Sequence, residues 1–332
     1  MALTNRRRWA VLVTVVAVAL GAVGLVVLHG CVGLVCERVQ FPAGGVRMAT
    51  GGVGGVYAAY GEAYEQVLAE DMPGLDVHLD NTSGSVDNLT RLADNETDLA
   101  FISADTAFLV PGLERVAHAP GRIRAMARVY DEYVQVVVRA NSPIKTLADL
   151  RGKRVSTGSV GSSVEITAGR LLAAAGMNNP KKDIIQRRLS VAESAWGLET
   201  GALDAFFWVG GLPTGAVAAL ADVEPIRLLP LDRYVDTLHR QYGSFYQPAT
   251  VPAGTYQGVP DTRTTAVPSY LLVSSALSSD LVYRLTATLF GRQTEISARV
   301  PSGRVLDIRS AISTSSIPLH PGAVRYYRSV KP

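Results

Sequence analysis

From Val46 onward the sequence alternates short apolar runs, loops of small residues and runs with helical periodicity. Apolar runs of this length, bounded by turn residues, predict strands, and the runs that follow predict helices. The first series contains predicted strands in "VRMAT" (46–50), "LDVHLDN" (75–81) and "DLAFIS" (98–103), and predicted helices at 57–70 and in "VDNLTRLADNE" (86–96). Repetition of strand, loop and helix favours an α/β fold with a parallel sheet covered by helices.

A second series of the same kind begins near residue 139, after two β-rich runs at 122–129 and 133–139. Its predicted strands lie in "KRVSTG" (153–158), "DIIQRRL" (183–189) and "LDAFFWVGG" (203–211). A long β-rich run at 262–275 then precedes an amphipathic helix predicted over 279–299 and a docking helix in the tail "IPLHPGAVRYYRSV". These patterns predict two α/β lobes with a cleft between them: residues 42–138 plus 262–332 form lobe 1, and residues 139–261 form lobe 2.

The first 41 residues are predicted to be a targeting or anchoring segment outside the fold. A basic block, Arg6 to Arg8, precedes 20 residues without a charge, Trp9 to Leu28. That length suffices to cross a bilayer as a helix, and the basic flank predicts that the rest of the chain is exported. "LHGC" is similar to a lipobox with Cys31 as the lipidated residue, whereas the apolar residues after it favour a retained anchor. Both alternatives stay open.

Charge argues against a nucleic-acid surface. The chain has 32 Lys and Arg and 29 Asp and Glu, and the excess of three equals the basic block at the N-terminus. The exported body is therefore balanced in charge, so no broad basic face is expected. The five histidines are scattered without the spacing of a zinc site, and we expect no metal, no cofactor and no catalytic residues.

A glycine-rich loop, "TGGVGGVY", joins the first predicted strand to the first predicted helix. Its backbone N–H groups and the partly positive helix N-terminus suit a carboxylate or a phosphate. A nucleotide is disfavoured, because Val56 and Tyr57 stand where a P-loop needs lysine and a hydroxyl residue, and Tyr57 replaces the third glycine of a dinucleotide motif. The alternative is a tight turn that binds nothing.

Other small-residue loops also follow predicted strands, at the edge where open α/β sheets bind ligands. The side chains that they offer are Ser83, Ser85, Asp105, Ser159, Ser162 and Ser163, with Gly210 at the end of another strand. Each serine is also a candidate helix N-cap, and the two roles are compatible. Asp105 is a candidate cap, ligand-positioning group or general base. Trp208 either lines the cleft or packs in the core.

The ordered motifs "ATGGVGGVYAAYG", "NTSGSVDNLTRLADNETDLAFISAD", "SPIKTLADLRGKRVSTGSVGSS", "LDAFFWVGGLPTGAV", "VPAGTYQG" and "IPLHPGAVRYY" resemble the TAXI-type extracytoplasmic solute-binding proteins of TRAP transporters. The resemblance extends from Val46 to Tyr327. It implies a two-lobed periplasmic-binding-protein fold of type II with the ligand cleft between the lobes. It also implies capture of a small organic anion or amino acid, such as glutamate, glutamine or 2-oxoglutarate, and delivery to a TRAP membrane permease driven by a sodium gradient.

The resemblance implies a ligand site built from both lobes. One wall contains Thr50, Gly52, Gly54, Gly55, Val56 and Tyr57, with Ser83, Ser85 and Asp105 beside it, and the other lobe contributes Ser159, Ser162, Ser163 and Gly210. The family often has threonine where Val53 and Val56 stand here, so these two positions offer no hydroxyl group to a ligand. The sequence shows no lysine or arginine in the cleft, and we expect a monomer that binds by lobe closure. A sensor subunit with the same fold is the alternative.

Overall fold

A computed structural model describes residues 41, 45–109 and 122–331 of the chain. The predicted membrane anchor and Cys31 lie outside these residues. Within the described ranges, no helix is both long and apolar enough to cross a membrane.

Within the described residues, ten strands form one curled sheet of mixed direction, in the order β2-β1-β3-β10-β4-β7-β5-β6, with β8 beside β4 and β9 beside β10. The strands are β1 (Val46–Ala49), β2 (Val77–Asp80), β3 (Leu99–Ser103), β4 (Ile123–Arg139), β5 (Arg154–Ser156), β6 (Ile185–Arg187), β7 (Ala205–Gly210), β8 (Ile226–Leu228), β9 (Gln247–Val251) and β10 (Thr262–Ser274).

Helices follow most of the strands, as the repeated pattern predicts. They are α1 (Val56–Asp71), α2 (Ser85–Ala93), α3 (Ala104–Leu109), α4 (Ser163–Ala174), α5 (Pro180–Asp183), α6 (Val191–Glu199), α7 (Gly215–Val223), α8 (Asp232–Tyr242), α9 (Ser279–Gly291), α10 (Gln293–Arg299), α11 (Ile308–Ala311) and α12 (Pro321–Ser329), with 3₁₀ helices at Leu147–Leu150 and Pro301–Val305.

Two groups of parallel strands define the two lobes. In one group β1 lies between β2 and β3, and in the other β5 lies between β6 and β7. The antiparallel pair of β4 and β10 joins the groups, with β10 on β3 and β4 on β7. The fold is thus the expected two-lobed α/β fold of periplasmic binding proteins.

The long strands β4 and β10 pass from one lobe into the other. The first half of β10 pairs with β9, whereas residues from Ser269 onward pair with β3. In β4 the residues that pair with β7 begin at Tyr133. The crossing therefore lies near the middle of both strands. The lobe boundaries at residues 139 and 262 stay a prediction.

Two predicted elements differ from those observed. The β-rich runs at 122–129 and 133–139 form the single strand β4, because residues 130–133 continue its pairing with β10 and β7. The helix predicted over 279–299 is divided into α9 and α10. The division occurs at Arg292, whose φ of −107° and ψ of 20° depart from helical values and whose side chain forms ion pairs with Glu70, Asp71 and Glu295.

Candidate ligand-binding cleft

A cavity of about 50 Å³ lies where the loops of the two lobes meet. It has room for a few water molecules. Its walls come from the segments after β1, β2, β5 and β6, from the carboxyl end of β7 and from the middle of β4. This is the position in which α/β sheets bind ligands.

Most of the predicted site residues line this cavity. From lobe 1 these are Gly52, Gly55, Val56, Tyr57 and Ser83, and from lobe 2 they are Ser159, Ser162, Ser163 and Gly210. Trp208 also lines the cavity, and its indole N–H donates to the Thr214 hydroxyl at 2.8 Å. The structure thus brings together the small-residue loops that the sequence placed at strand ends.

Four predicted residues lie outside the cavity wall: Thr50, Gly54, Ser85 and Asp105. The Thr50 hydroxyl donates to the Asp80 carbonyl at 2.9 Å, and the Ser85 hydroxyl accepts from the backbone N–H of Ser103 at 3.0 Å. Their hydrogen bonds hold the loops that form the wall. A direct role of these four in ligand binding stays a prediction.

Asp105 belongs to a buried polar network that joins the lobes. Its carboxylate accepts from the Arg170 guanidinium at 3.0 Å, from the Tyr246 hydroxyl at 2.7 Å and from the Thr167 hydroxyl at 3.2 Å. The Ser103 hydroxyl donates to its other oxygen at 2.8 Å. Because both oxygens are occupied in this way, Asp105 acts in the structure as an ion-pair partner and not as a free base.

The glycine loop reaches the second lobe directly. The backbone N–H of Ala216 donates to the Gly54 carbonyl at 3.2 Å. Gly54 has a φ of +81°, and a Cβ at this position would lie 3.0 Å from the Cβ of Ala216. Only glycine combines this backbone conformation with so close an approach.

A second backbone contact closes the cleft beside α2. The Gly161 carbonyl of lobe 2 accepts from the backbone N–H groups of Val86 at 3.1 Å and Asp87 at 3.2 Å, in the first turn of α2. The N-terminus of that helix is therefore occupied by protein. The structure shows the lobes in a closed arrangement.

The N-terminus of α1 is a positive helix end that faces the cavity. Gly55, its N-cap, makes no side-chain hydrogen bond, and the first turn contains no acid. By contrast, α4 and α6 each have a serine cap and a glutamate in the first turn, Ser162 with Glu165 and Ser190 with Glu193. The uncapped N–H groups of the first turn and the helix dipole favour an anion beside Val56 and Tyr57.

Glu132 is the cavity residue that the sequence analysis missed. It lies on β4 opposite Val267 of β10, at the crossing between the lobes, and its exposed fraction is 2%. Alternation along β4 places it on the same buried face as Val134 and Val136. An acid on a face that is otherwise apolar was the signal in "DEYVQVVV" that would have identified it.

The carboxyl group of Glu132 is only partly satisfied. Its Oε2 atom has no hydrogen-bond partner, and no lysine, arginine or histidine of the described ranges lines the cavity. Burial raises the pKa of Glu132 from 4.5 to about 8, and the carboxylates of Asp105 and Asp131 add to the rise, against the opposing effect of the Tyr57 hydroxyl. The group is therefore mostly protonated at pH 7 when the cavity holds no cation.

Tyr57 connects the glycine loop with Glu132. Its ring stacks on Phe101 with centroids 5.3 Å apart, and its hydroxyl accepts from Ser269 at 3.2 Å and lies 3.3 Å from the Ser85 hydroxyl. Burial and the nearby Glu132 raise the pKa of Tyr57 well above its usual value. The hydroxyl therefore stays protonated and is able to donate a hydrogen bond into the cavity.

Other residues missed by the sequence analysis complete the wall. They are mostly small or apolar: Gly51, Gly84, Tyr130, Val164, Leu189, Ser190, Val191 and Val209. Tyr130 lies within β4 and Val209 within β7. For the others, only the position after a strand signals a role, since apolar residues there also pack in a core. In the described part of the chain, no group of three His, Cys, Asp or Glu side chains has the arrangement of a metal site.

A family model described as the NMT1-like family matches residues 48–330. The chain belongs to the NMT1-like family. This match covers every element from β1 to α12 apart from the first two residues of β1. It does not name the TAXI type, which stays a prediction.

Solved structures with a similar chain path include three bacterial proteins. The periplasmic aliphatic sulphonate binding protein SsuA from Escherichia coli is 17% identical, with 87% of this chain and 84% of that chain covered and a TM-score of 0.47. A putative L-cystine ABC transporter protein from Listeria monocytogenes is 14% identical, with 81% and 99% covered and a TM-score of 0.47. A protein from Bordetella bronchiseptica RB50 is 19% identical, with 89% and 92% covered and a TM-score of 0.49.

Proposed function

We propose that this member of the NMT1-like family is an extracytoplasmic solute-binding receptor that closes its two lobes around a small ligand. The observation that carries the proposal is the cavity itself. It lies between the lobes, receives residues from both, and is closed by backbone hydrogen bonds that the carbonyl groups of Gly161 and Gly54 accept. A ligand that contacts both walls stabilises the closed arrangement, as a receptor of this kind requires.

The proposed ligand is a small organic anion or amino acid that leaves the protein unchanged. The uncapped N-terminus of α1 favours a carboxylate, and the hydroxyls of Ser159 and Ser163, which make no hydrogen bond within the described residues, are available to it. Binding without turnover agrees with an Asp105 that is fully engaged in an ion pair. The protein is therefore proposed to be a receptor and not an enzyme.

The proposed partner is the membrane permease of a TRAP transporter, as the resemblance to TAXI-type proteins implies. The proposed location is outside the cytoplasmic membrane, held by the N-terminal segment as a helix or through a lipid on Cys31. A gene for a TRAP permease next to the gene for this protein supports transport. A neighbouring histidine kinase gene in its place supports the sensor alternative.

Thermal unfolding of the full chain in mild detergent tests the binding function. We expect at least one compound from a panel of L-amino acids, organic acids and sulfonates to raise the unfolding temperature. At 100 times its Kd, a ligand that binds only the folded state stabilises it by about 2.7 kcal/mol. Chemical conversion of the bound compound, followed by mass spectrometry, would contradict a binding-only role, and a panel without any stabilising compound would contradict the receptor proposal.

A further inference from the structure

The cavity combines two opposite electrostatic features. On the glycine-loop side lies the uncapped N-terminus of α1, which favours an anion. On the side of β4 lies Glu132, an acid that is 2% exposed, with Oε2 free of any hydrogen bond. A ligand that is only an anion satisfies the first feature and leaves the second without a partner.

We propose that the ligand carries an ammonium group close to its carboxylate, as an α-amino acid does, and that Glu132 binds this ammonium group. This inference rests on the proposed receptor function and narrows its ligand class. The carboxylate lies at the N–H groups of Val56 and Tyr57, and the ammonium group donates to the free Oε2 of Glu132. The N-terminus of α1 and the Oε2 atom of Glu132 then each have a partner of opposite character.

The surroundings of Glu132 support a cation from the ligand, because the protein supplies none. Glu132 forms no ion pair within the described ranges, and Arg170, the cation of the Asp105 network, is engaged by Asp105. A buried acid without a partner costs free energy in the unliganded protein. A bound ammonium group removes that cost, so the acid discriminates between ligands with and without a positive group.

Ligand charge can be tested with matched compounds that differ only at the α-position. Each proteinogenic L-amino acid is paired with the 2-hydroxy acid of the same side chain, such as L-alanine with L-lactate, and binding to the full chain is measured by calorimetry. We expect the best amino acid to bind about 30-fold more tightly than its hydroxy analogue, because the analogue lacks the charged hydrogen bond between an ammonium group and Glu132.

The variant Glu132→Gln keeps the shape of the side chain and removes its charge. We expect the substitution to lower the affinity for the best amino acid by about 30-fold or more. The affinity for the matched hydroxy acid should then lie within a few-fold of the affinity for the amino acid. Asp131→Asn is the matched control, since Asp131 is the next residue on the same strand, is bonded to Arg128 at 2.5 Å and does not line the cavity. It should preserve the discrimination. Far-UV circular dichroism and the unfolding temperature confirm that both variants fold.

Dependence on pH gives a second, independent readout. Titratable groups around Glu132 are Asp105, Asp131, Tyr57 and Tyr130, and the two tyrosines stay protonated below pH 9. An ammonium ligand binds the ionised form of Glu132, so its affinity should rise up to tenfold per unit between about pH 6 and 8. Glu132→Gln should abolish this rise. A carboxylate held by protonated Glu132 would show the opposite trend.

The outcomes separate the two proposals. The role of Glu132 is overturned if a compound without nitrogen, such as a hydroxy acid, dicarboxylate or sulfonate, binds as tightly as any amino acid. That result leaves the receptor function intact. Unchanged amino-acid affinity in Glu132→Gln has the same two consequences. If no compound of either charge class binds to the wild-type chain, the receptor function itself fails, and the ligand class fails with it.

Discussion

At the scale of single residues, Glu132 couples the stability of the unliganded protein to pH. Its pKa is about 8 in the folded chain and 4.5 in an exposed setting. The folded state therefore retains a proton that the unfolded chain releases above pH 4.5, and the free energy of unfolding falls as pH rises toward 8. We expect the free energy of unfolding of the wild type, minus that of Glu132→Gln, to fall by about 4 kcal/mol from pH 5 to pH 8.

Urea unfolding of both proteins at pH 5, 6.5 and 8 measures this difference, because contributions from other titrating groups cancel between them. The free energy of unfolding of Glu132→Gln relative to that of the wild type should rise steadily from pH 5 to pH 8. A difference that is constant with pH would mean that Glu132 keeps an ordinary pKa, and would remove the argument that it lacks a partner.

The sequence predicts those cavity residues whose position follows from backbone geometry. The sequence placed the glycine loop, Tyr57, Ser83 and the serines of lobe 2 at strand ends, and most of these residues line the cavity. Glu132 and the Asp105–Arg170 pair were not predicted, since both depend on contacts between segments distant in sequence. Asp105 and Arg170 are 65 residues apart, and no local pattern indicates that they meet.

At the scale of the element, closure of the glycine loop on α7 depends on Gly54. We expect Gly54→Ala to weaken ligand affinity by about tenfold, because the added methyl group meets Ala216 and the φ of +81° is unfavourable for alanine. Calorimetry with the ligand found in the thermal screen measures the change.

Gly176→Ala is a matched control for this variant. Gly176 has a φ of +79°, close to that of Gly54, but a Cβ there has no neighbour within 4 Å. Both variants should lose about 1 kcal/mol of folding free energy from backbone strain, whereas only Gly54→Ala should lose affinity. Equal affinities in the two variants would show that the contact with Ala216 is unimportant for binding.

Most elements of the first series were predictable, because clear turn residues bound each strand pattern of period 2 and each helical pattern there. The boundary between α9 and α10 was not, because the apolar periodicity of 279–299 continues through it and the interruption comes from ion pairs of Arg292 with α1. Similarly, β4 reads as two runs because it changes partner strands midway. In both cases tertiary contacts override the local signal.

At the scale of the whole molecule, hydrogen exchange should report lobe closure. The N–H groups of Val86, Asp87 and Ala216 bond across the cleft, so they are protected only while the lobes are closed. We expect ligand at 100 times its Kd to slow their exchange by about 100-fold. Mass spectrometry of peptides that contain these residues measures the effect on the full chain.

Amides bonded within one lobe provide the internal reference. The N–H of Met72 bonds to Leu68 and that of Gly176 to Ala173, and neither bond spans the cleft. Their exchange should change much less than that of the bridging amides. A ligand that protects all peptides equally would indicate general stabilisation without lobe closure.

The placement of Glu132 on β4 has a consequence for how specificity is encoded. The loops that surround the cavity belong to one lobe or the other, whereas β4 is paired with strands of both. The charge that a ligand must carry is then specified by one position of a shared strand, and its size and outline by the exchangeable loops. Loop grafting between related receptors should therefore alter which side chain is accepted, while a change of net ligand charge should require substitution on the strand itself.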